Sequence, residues 1–197
     1  MHSNRFRASS LFLAIAVASA TAPHSSSGED WTQWRDADRA NRSSETGLFT
    51  TWKADGPPLA WVVEGMGSGY ANVSVSDGKA FTTGNRDGHQ AVIAVDTKTG
   101  KIAWTAAISS SDPKHGYDGS RSTPTIDGDK LYVVSSDGAI HCLNTADGET
   151  VWKREFSQWN GQMMSVWGFS ESPLVDGPLV ICTPGGPDAM VVALDKS

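Results

Sequence analysis

The chain has 197 residues and carries 16 basic against 22 acidic side chains, a formal net charge of −6. Residues 1–22 hold two of the arginines and no acidic residue, so the remainder carries 14 basic against 22 acidic side chains, a net charge of −8. Nucleic acid and anionic lipid would both repel such a chain, so we expect neither to be its partner.

The first 22 residues have the pattern of a secretory signal peptide. Arg5 and Arg7 precede a short apolar run, Leu11 to Ala18, and small residues at 18–22 offer cleavage sites. The run is too short to span a bilayer, and no second apolar stretch follows it. No cysteine follows the run at a position suited to lipid attachment. We therefore expect a periplasmic or secreted protein with no integral membrane segment after cleavage.

Residues 23–58 read as a linker and an N-terminal docking segment. Serines dominate the first few positions, as in flexible linkers. Trp31, Trp34 and Trp52 follow. Because tryptophan side chains bury a large apolar area, they predict that this segment packs on the flank of the domain after it.

Residues 59–197 contain a repeat with a period near 50 residues. Gly100 and Gly148 are 48 residues apart, and so are Trp104 and Trp152. The recurring segments are 94–104, 142–152 and, in part, 193–195, and Asp-Gly pairs recur in step with them at Asp77, Asp127 and Asp176. A fixed period in this range predicts a stacked or circular array of one structural unit.

Each unit reads as four short strands. In the second copy the strands are predicted at 122–126, 130–134, 139–143 and 149–155. Asp-Gly pairs separate several of them, and such pairs are strong hairpin signals because glycine accepts a positive φ. No sustained helical periodicity follows residue 22.

Units of this length predict an all-β fold, a partial β-propeller built from four-stranded antiparallel blades. Two blades are complete, at 71–107 and 122–156, and a third at 172–195 lacks its fourth strand. Propellers close with about four to eight blades. We therefore expect this sequence to be the N-terminal part of a longer protein or a truncated reading frame.

The repeated tryptophan predicts how the blades are joined. It follows the repeated glycine by four residues in both complete copies, so we expect it to end the outermost strand and to lie over the glycine turn of a neighbouring blade. The alternative is an ordinary core residue. A further strand predicted at 59–63 carries Trp61, which would belong to the blade that closes the ring. The residues assigned to the structural repeat are Asp96, Gly100, Trp104, Asn144, Gly148 and Trp152.

These residues carry a family resemblance. The pattern from Ala94 through Asp96, Thr99 and Gly100 to Trp104 resembles the tryptophan-docking repeat of quinoprotein-type (PQQ-like) β-propellers. Residues 170–196 are similar to secreted bacterial PQQ-like repeat proteins, and the likeness extends over residues 31–197. The resemblance implies the fold and says little about activity. WD-repeat propellers are disfavoured, because no Trp-Asp pair closes a strand.

The candidate site lies in the loops that enter the first strand of each blade, 64–72, 107–121 and 156–172. Arg121, Trp167 and Glu171 combine a guanidinium, an indole and a carboxylate, which could hold an anionic planar cofactor. The resemblance implies such a site in quinone-dependent dehydrogenases. The alternative is that Arg121 and Glu171 pair with each other or with the backbone while Trp167 fills the channel.

Two features of those dehydrogenases have no counterpart in the sequence: adjacent cysteines and an oxygen-rich cluster at calcium-ligand spacing. We therefore assign no catalytic residue and no metal ligand, and we expect no cofactor unless the dehydrogenase alternative, with PQQ and Ca²⁺, holds. Cys142 and Cys182 are predicted as buried thiols, with a disulfide as the alternative. His141 is expected to face solvent or a gap between blades.

The sequence supports three functional hypotheses. The first is an exported binding or assembly scaffold, in the manner of propellers that assist outer-membrane protein insertion, with other proteins or the remaining blades as partners. The second is a periplasmic PQQ-dependent alcohol dehydrogenase. The third is a non-functional truncated product.

Overall fold

The computed structural model describes residues 28–197. The predicted signal peptide and the first part of the predicted linker lie outside the described residues. Within residues 28–197, no helix is long and apolar enough to cross a membrane. A short 3-10 helix, Phe156–Trp159, is present.

The described chain forms three antiparallel sheets, which confirms the predicted all-β, partial-propeller fold. The first sheet contains β1 (Ser74–Ser76), β2 (Lys79–Arg86), β3 (His89–Asp96) and β4 (Lys101–Ala107). The second contains β5 (Thr125–Asp127), β6 (Lys130–Ser135), β7 (Ala139–Asn144) and β8 (Thr150–Glu155). The third contains β9 (Leu174–Asp176), β10 (Leu179–Cys182) and β11 (Val192–Asp195). In every sheet, strands that are consecutive in the chain lie side by side.

The hydrophobic core lies between the sheets because the middle strands bury both faces. In β6, Leu131 and Val133 face the first sheet, whereas Tyr132 and Val134 face the third. Side chains alternate across a strand, so one apolar strand serves two interfaces. The cluster between the first two sheets comprises Phe81, Val92, Ala94, Ile108, Ile126, Leu131, Val133 and Leu143.

Tryptophans join neighbouring sheets at glycine turns. A Cβ atom at Gly148 would lie 2.6 Å from the ring of Trp104, and the Trp104 indole N–H donates to the Thr145 carbonyl at 3.1 Å. Trp61 lies against Gly100 in the same way and donates to the Thr97 carbonyl at 2.8 Å.

The segment around Trp61 does not form the strand that we expected at residues 59–63. A strand needs a hydrogen-bonding neighbour, and none of the described residues pairs with this segment. Its tryptophan nevertheless occupies the docking position on the first sheet.

The N-terminal docking segment crosses the beginnings of all three sheets instead of packing on a flank. Trp31 and Val75 exchange two backbone hydrogen bonds of 2.8 and 2.7 Å, and the Thr32 carbonyl accepts from the Ile126 N–H at 2.7 Å. Arg39 donates to the Pro173 carbonyl at 3.0 Å. We call residues 31–39 the strap. Its backbone pairs with groups on the exposed edges of β1 and β5, which would otherwise lack partners in these strands.

Candidate functional site

Three loops lie together at the end of the molecule where β1, β5 and β9 begin. The Tyr70 N–H donates to the Ser120 carbonyl at 2.6 Å, which joins the first loop to the second. The Gly116 N–H donates to the Val166 carbonyl at 2.8 Å, which joins the second to the third. These loops, residues 64–73, 108–124 and 160–173, form the loop face.

Repeated hydroxyl contacts fix the sheets beneath the loop face. The Ser74 hydroxyl donates to the Pro124 carbonyl at 2.8 Å. One repeat later, the Thr125 hydroxyl donates to the Pro173 carbonyl at 2.6 Å. Because the same bond recurs at equivalent positions, each first strand is tied to the segment that leads into the next.

A buried amide side chain also joins the first two sheets. Gln90 is completely buried; its side-chain N–H donates to the Ser136 hydroxyl at 3.1 Å, and its side-chain oxygen accepts from the Ser136 N–H at 2.7 Å. His115 contacts the same hydroxyl at 3.0 Å. Sequence reasoning missed Gln90, since a single glutamine among apolar strand residues gives no signal.

A cleft of about 410 Å³ opens between the strap and the loop face. Its lining residues are Trp34, Arg39, Tyr70, Asn72, Arg121, Thr123, Ser170, Glu171 and Ser172. We call it the arginine cleft. Of the predicted site residues, Arg121 and Glu171 line it, whereas Trp167 lines an adjoining pocket of about 230 Å³ together with Glu171. Trp34, Arg39 and Tyr70 are lining residues that sequence reasoning did not assign to a site.

Arg121 is bound mainly to backbone oxygens. Its Nη1 donates to the carbonyls of Gly119 and Trp167 at 2.9 and 3.0 Å, and its Nη2 donates to the Tyr117 carbonyl at 2.9 Å. The guanidinium also lies 5.0 Å from the ring centre of Tyr70, a cation–π contact. Arg121 therefore fixes the second and third loops relative to each other.

Glu171 and Trp167 have separate surroundings. The Glu171 carboxylate accepts hydrogen bonds from the N–H of Thr183, at 2.7 Å, and from its hydroxyl. Among the ion pairs of the described residues, none joins Glu171 to Arg121. Trp167 is half exposed and meets the Tyr117 ring edge-on, with the ring centres 6.2 Å apart.

These contacts do not fit a quinone site with calcium. Three N–H donors of Arg121 are directed at backbone carbonyls and both oxygens of Glu171 at Thr183. The Glu171 oxygens are thus already engaged and are not arranged to hold a cation, and Arg121 keeps only its remaining N–H groups for an anion. Within residues 28–197, no group of three carboxylate, histidine or cysteine side chains is placed to hold a metal ion. No catalytic step through a quinone follows from this arrangement.

The two cysteines are buried, as predicted, and both are free thiols in the core between the second and third sheets. Burial raises the pKa of Cys142, and it raises the pKa of Cys182 to about 12. A thiol that stays protonated is a poor nucleophile, so neither cysteine has the chemistry of a reactive site.

His141 lies in the core between the first two sheets, 3% exposed, and its Nε2 has no hydrogen-bond partner among the described residues. Burial, and secondarily the positive charge of Lys153, lowers the pKa of His141 to about 3. The imidazole is therefore neutral in the folded protein.

The loop face exposes several large apolar side chains. Met164 is 86% exposed and Val166 is 70% exposed, although neighbouring backbone groups hold their loop in place. The exposed apolar residues of this face, which we call the loop patch, are Tyr70, Tyr117, Met163, Met164, Val166 and Trp167.

Three sheets of sequential antiparallel strands, joined by tryptophans at glycine turns, define a PQQ-like β-propeller arc. The family described as outer membrane protein assembly factor BamB matches residues 27–197. The chain belongs to this family.

Relatives agree with that assignment. Outer membrane protein assembly factor BamB of Shewanella oneidensis is 28% identical over 130 residues, which cover 60% of this chain and 31% of the relative. The chain thus matches about a third of the length of this curated relative.

Solved structures give the same fold. BamB from Moraxella catarrhalis is 26% identical with a TM-score of 0.53, covering 72% of this chain and 38% of that one. The quinohemoprotein alcohol dehydrogenase of Comamonas testosteroni is also 26% identical, with a TM-score of 0.55, covering 71% of this chain and 21% of that one.

Proposed function

We propose that this protein is a protein-binding scaffold that acts in the periplasm during the assembly of outer-membrane proteins. The observation that carries the proposal is the family match over residues 27–197, because that family is described as an outer membrane protein assembly factor. The signal-peptide pattern in residues 1–22 supports export.

The loop patch is the surface that we propose for partner binding. Clustered exposed apolar and aromatic side chains are typical of interaction sites. The Gly116–Val166 backbone hydrogen bond and the contacts of Arg121 hold the loops in place. Little conformational entropy would therefore be lost when a partner binds.

We further propose that the scaffold works without a cofactor. A quinone-dependent dehydrogenase shares the fold, but fold alone does not determine activity. The Thr183 contacts of Glu171 favour a structural role for that side chain, and the backbone contacts of Arg121 show that it positions the loops whether or not it also binds a ligand.

The test is complementation in a bacterial host whose own assembly factor of this family has been deleted. The wild-type protein should restore the amount of folded, heat-modifiable outer-membrane porin. Met164→Asp combined with Val166→Asp should abolish this restoration, because two charges would be placed in the proposed interface.

Val151→Asp is the matched control, since Val151 is an exposed apolar residue on β8, outside the loop face. It should restore porin assembly as the wild type does. Failure of the wild-type protein to restore assembly would contradict the proposed function. Equal loss in both variants would contradict the assignment of the loop patch.

A further inference from the structure

The arginine cleft has a positive balance in a chain that is otherwise acidic. Two guanidiniums, those of Arg39 and Arg121, line it against one carboxylate, that of Glu171. Both oxygens of that carboxylate already accept hydrogen bonds from Thr183. The cleft therefore favours a negatively charged group over a positive one.

Both guanidiniums keep free donors while being held in position. Arg39 donates through Nε to the Gln33 side chain at 3.1 Å and through Nη2 to the Pro173 carbonyl at 3.0 Å. Its Nη1 has no partner among the described residues, and neither has the Nε of Arg121. Guanidiniums that the protein has already oriented lose little freedom when they bind a carboxylate.

The other residues that line the arginine cleft suit a peptide ligand better than a small inorganic anion. Trp34 and Tyr70 contribute exposed aromatic surface, which suits an apolar or aromatic side chain. Asn72, Ser170 and Ser172 contribute neutral polar groups, which suit backbone amides. A pocket with a few polar groups and aromatic walls is the usual form of a small binding site.

We infer that the arginine cleft captures the C-terminal carboxylate of an extended polypeptide whose last side chain is aromatic or apolar. The inference rests on the proposed function, because it names the part of a client protein that the scaffold would bind. Arg39 and Arg121 bind the carboxylate, Trp34 and Tyr70 pack against the final side chain, and the polar residues receive the last peptide groups.

The test is fluorescence anisotropy with the full chain and a short labelled peptide that ends in phenylalanine. The peptide with a free carboxylate should bind, and the same peptide amidated at its C-terminus should bind about tenfold more weakly or worse, because it lacks the charge. Added salt should weaken binding of the free acid more than binding of the amide.

Two variants test the residues. Arg39→Gln should reduce the preference for the free acid at least severalfold, and Tyr70→Ser should weaken both peptides. Arg154→Gln is the control, since Arg154 is exposed on β8, and it should bind both peptides as the wild type does. Thermal unfolding of Arg39→Gln checks that the strap is intact. If this variant is destabilised, Arg39→Lys replaces it; because lysine keeps the positive charge, Arg39→Lys should retain part of the preference for the free acid over the amide.

Equal binding of the acid and the amide would overturn the inference, and so would full competition by millimolar inorganic phosphate, which would indicate a general anion site. If complementation by the wild type succeeds while the two peptides bind alike, only the inference fails and the proposed function stands. If the acid is preferred but complementation fails, the cleft is supported and the assembly role is not.

Discussion

Trp104 contributes to the interface between the first two sheets in two ways. Its ring covers Gly148, where φ is +79° and no side chain could fit, and its indole N–H satisfies the Thr145 carbonyl. Position 148 therefore requires glycine for two reasons: its φ is positive, and a side chain would collide with the Trp104 ring. Other glycine turns of the same fold have the positive φ without such a contact, so the two effects can be measured separately.

We predict that Gly148→Ala destabilises the protein more than Gly128→Ala. Both residues have a positive φ, so each substitution should cost about 1 kcal/mol for the backbone. Only at Gly148 would the new methyl group meet the Trp104 ring, which should add about 1–3 kcal/mol; the space around Gly128 is open within 4 Å. Urea unfolding measures the difference, and equal effects would rule out the docking contact.

His141 should make stability depend on pH. The pKa of His141 in the folded protein is about 3, below the usual value near 6.5. Between these two pH values His141 is therefore protonated in the unfolded chain and neutral in the folded protein. Stability should therefore fall as the pH is lowered from about 6.5 toward 3, by about 1.4 kcal/mol per pH unit from this residue at most.

The measurement is the difference in unfolding free energy between the wild type and His141→Gln across that pH range. The subtraction removes the contributions of the carboxylates, which titrate in both proteins. A constant difference from pH 4 to pH 7 would show that His141 is not buried in neutral form.

At the scale of elements, the hairpins follow directly from local sequence. The Asp77-Gly78 pair turns β1 into β2 as predicted, whereas Asp127 is the last residue of β5 and the turn into β6 consists of Gly128 and Asp129. Loop positions could not be predicted in this way. Arg35, Asp36, Arg39 and Asn41 all have a positive φ, which sequence does not specify for residues other than glycine. The place of Arg39 in the cleft depends on that backbone path, so its contribution was not foreseen.

Gln90 should prove essential to the contact between β3 and the loop after β6. Gln90→Leu keeps the approximate size of the side chain but leaves the Ser136 N–H without its partner, which should cost about 1–3 kcal/mol. Hydrogen exchange should quicken at the Ser136 amide in particular. Gln162→Leu is the control, because Gln162 is exposed. Unchanged exchange at Ser136 in the Gln90 variant would show that the Gln90 side chain does not hold the Ser136 amide.

At the scale of the whole molecule, the strap links sheets that are otherwise joined only to their neighbours. It bonds to Val75 in the first sheet, to Ile126 in the second and to Pro173 at the start of the third. The repeat pattern predicted the sheets and their order, because each repeat carries its own turns. It could not predict the strap, which occurs once and has no repeated signal.

We predict that Trp31→Pro destabilises all three sheets together. Proline removes the N–H that Trp31 donates to Val75, leaving that carbonyl without a partner at a cost of about 1–3 kcal/mol, and the indole is lost as well. Hydrogen exchange should quicken in β1, β5 and β9. Trp52→Pro, at a residue that is 59% exposed, should leave exchange unchanged; an effect confined to β1 would show that the strap does not couple the sheets.

The strap also has a consequence for the order of folding. Its residues leave the ribosome before any strand that they cross, yet its bond from Arg39 to Pro173 joins positions 134 residues apart. That bond cannot form until the third sheet has been synthesised, and contacts between distant positions slow folding. The bonds from the strap to Val75 and Ile126 need only the first two sheets and can form earlier. Until they form, the free edges of β1 and β5 are open to other chains, so a newly synthesised molecule should aggregate most readily before the strap closes over them.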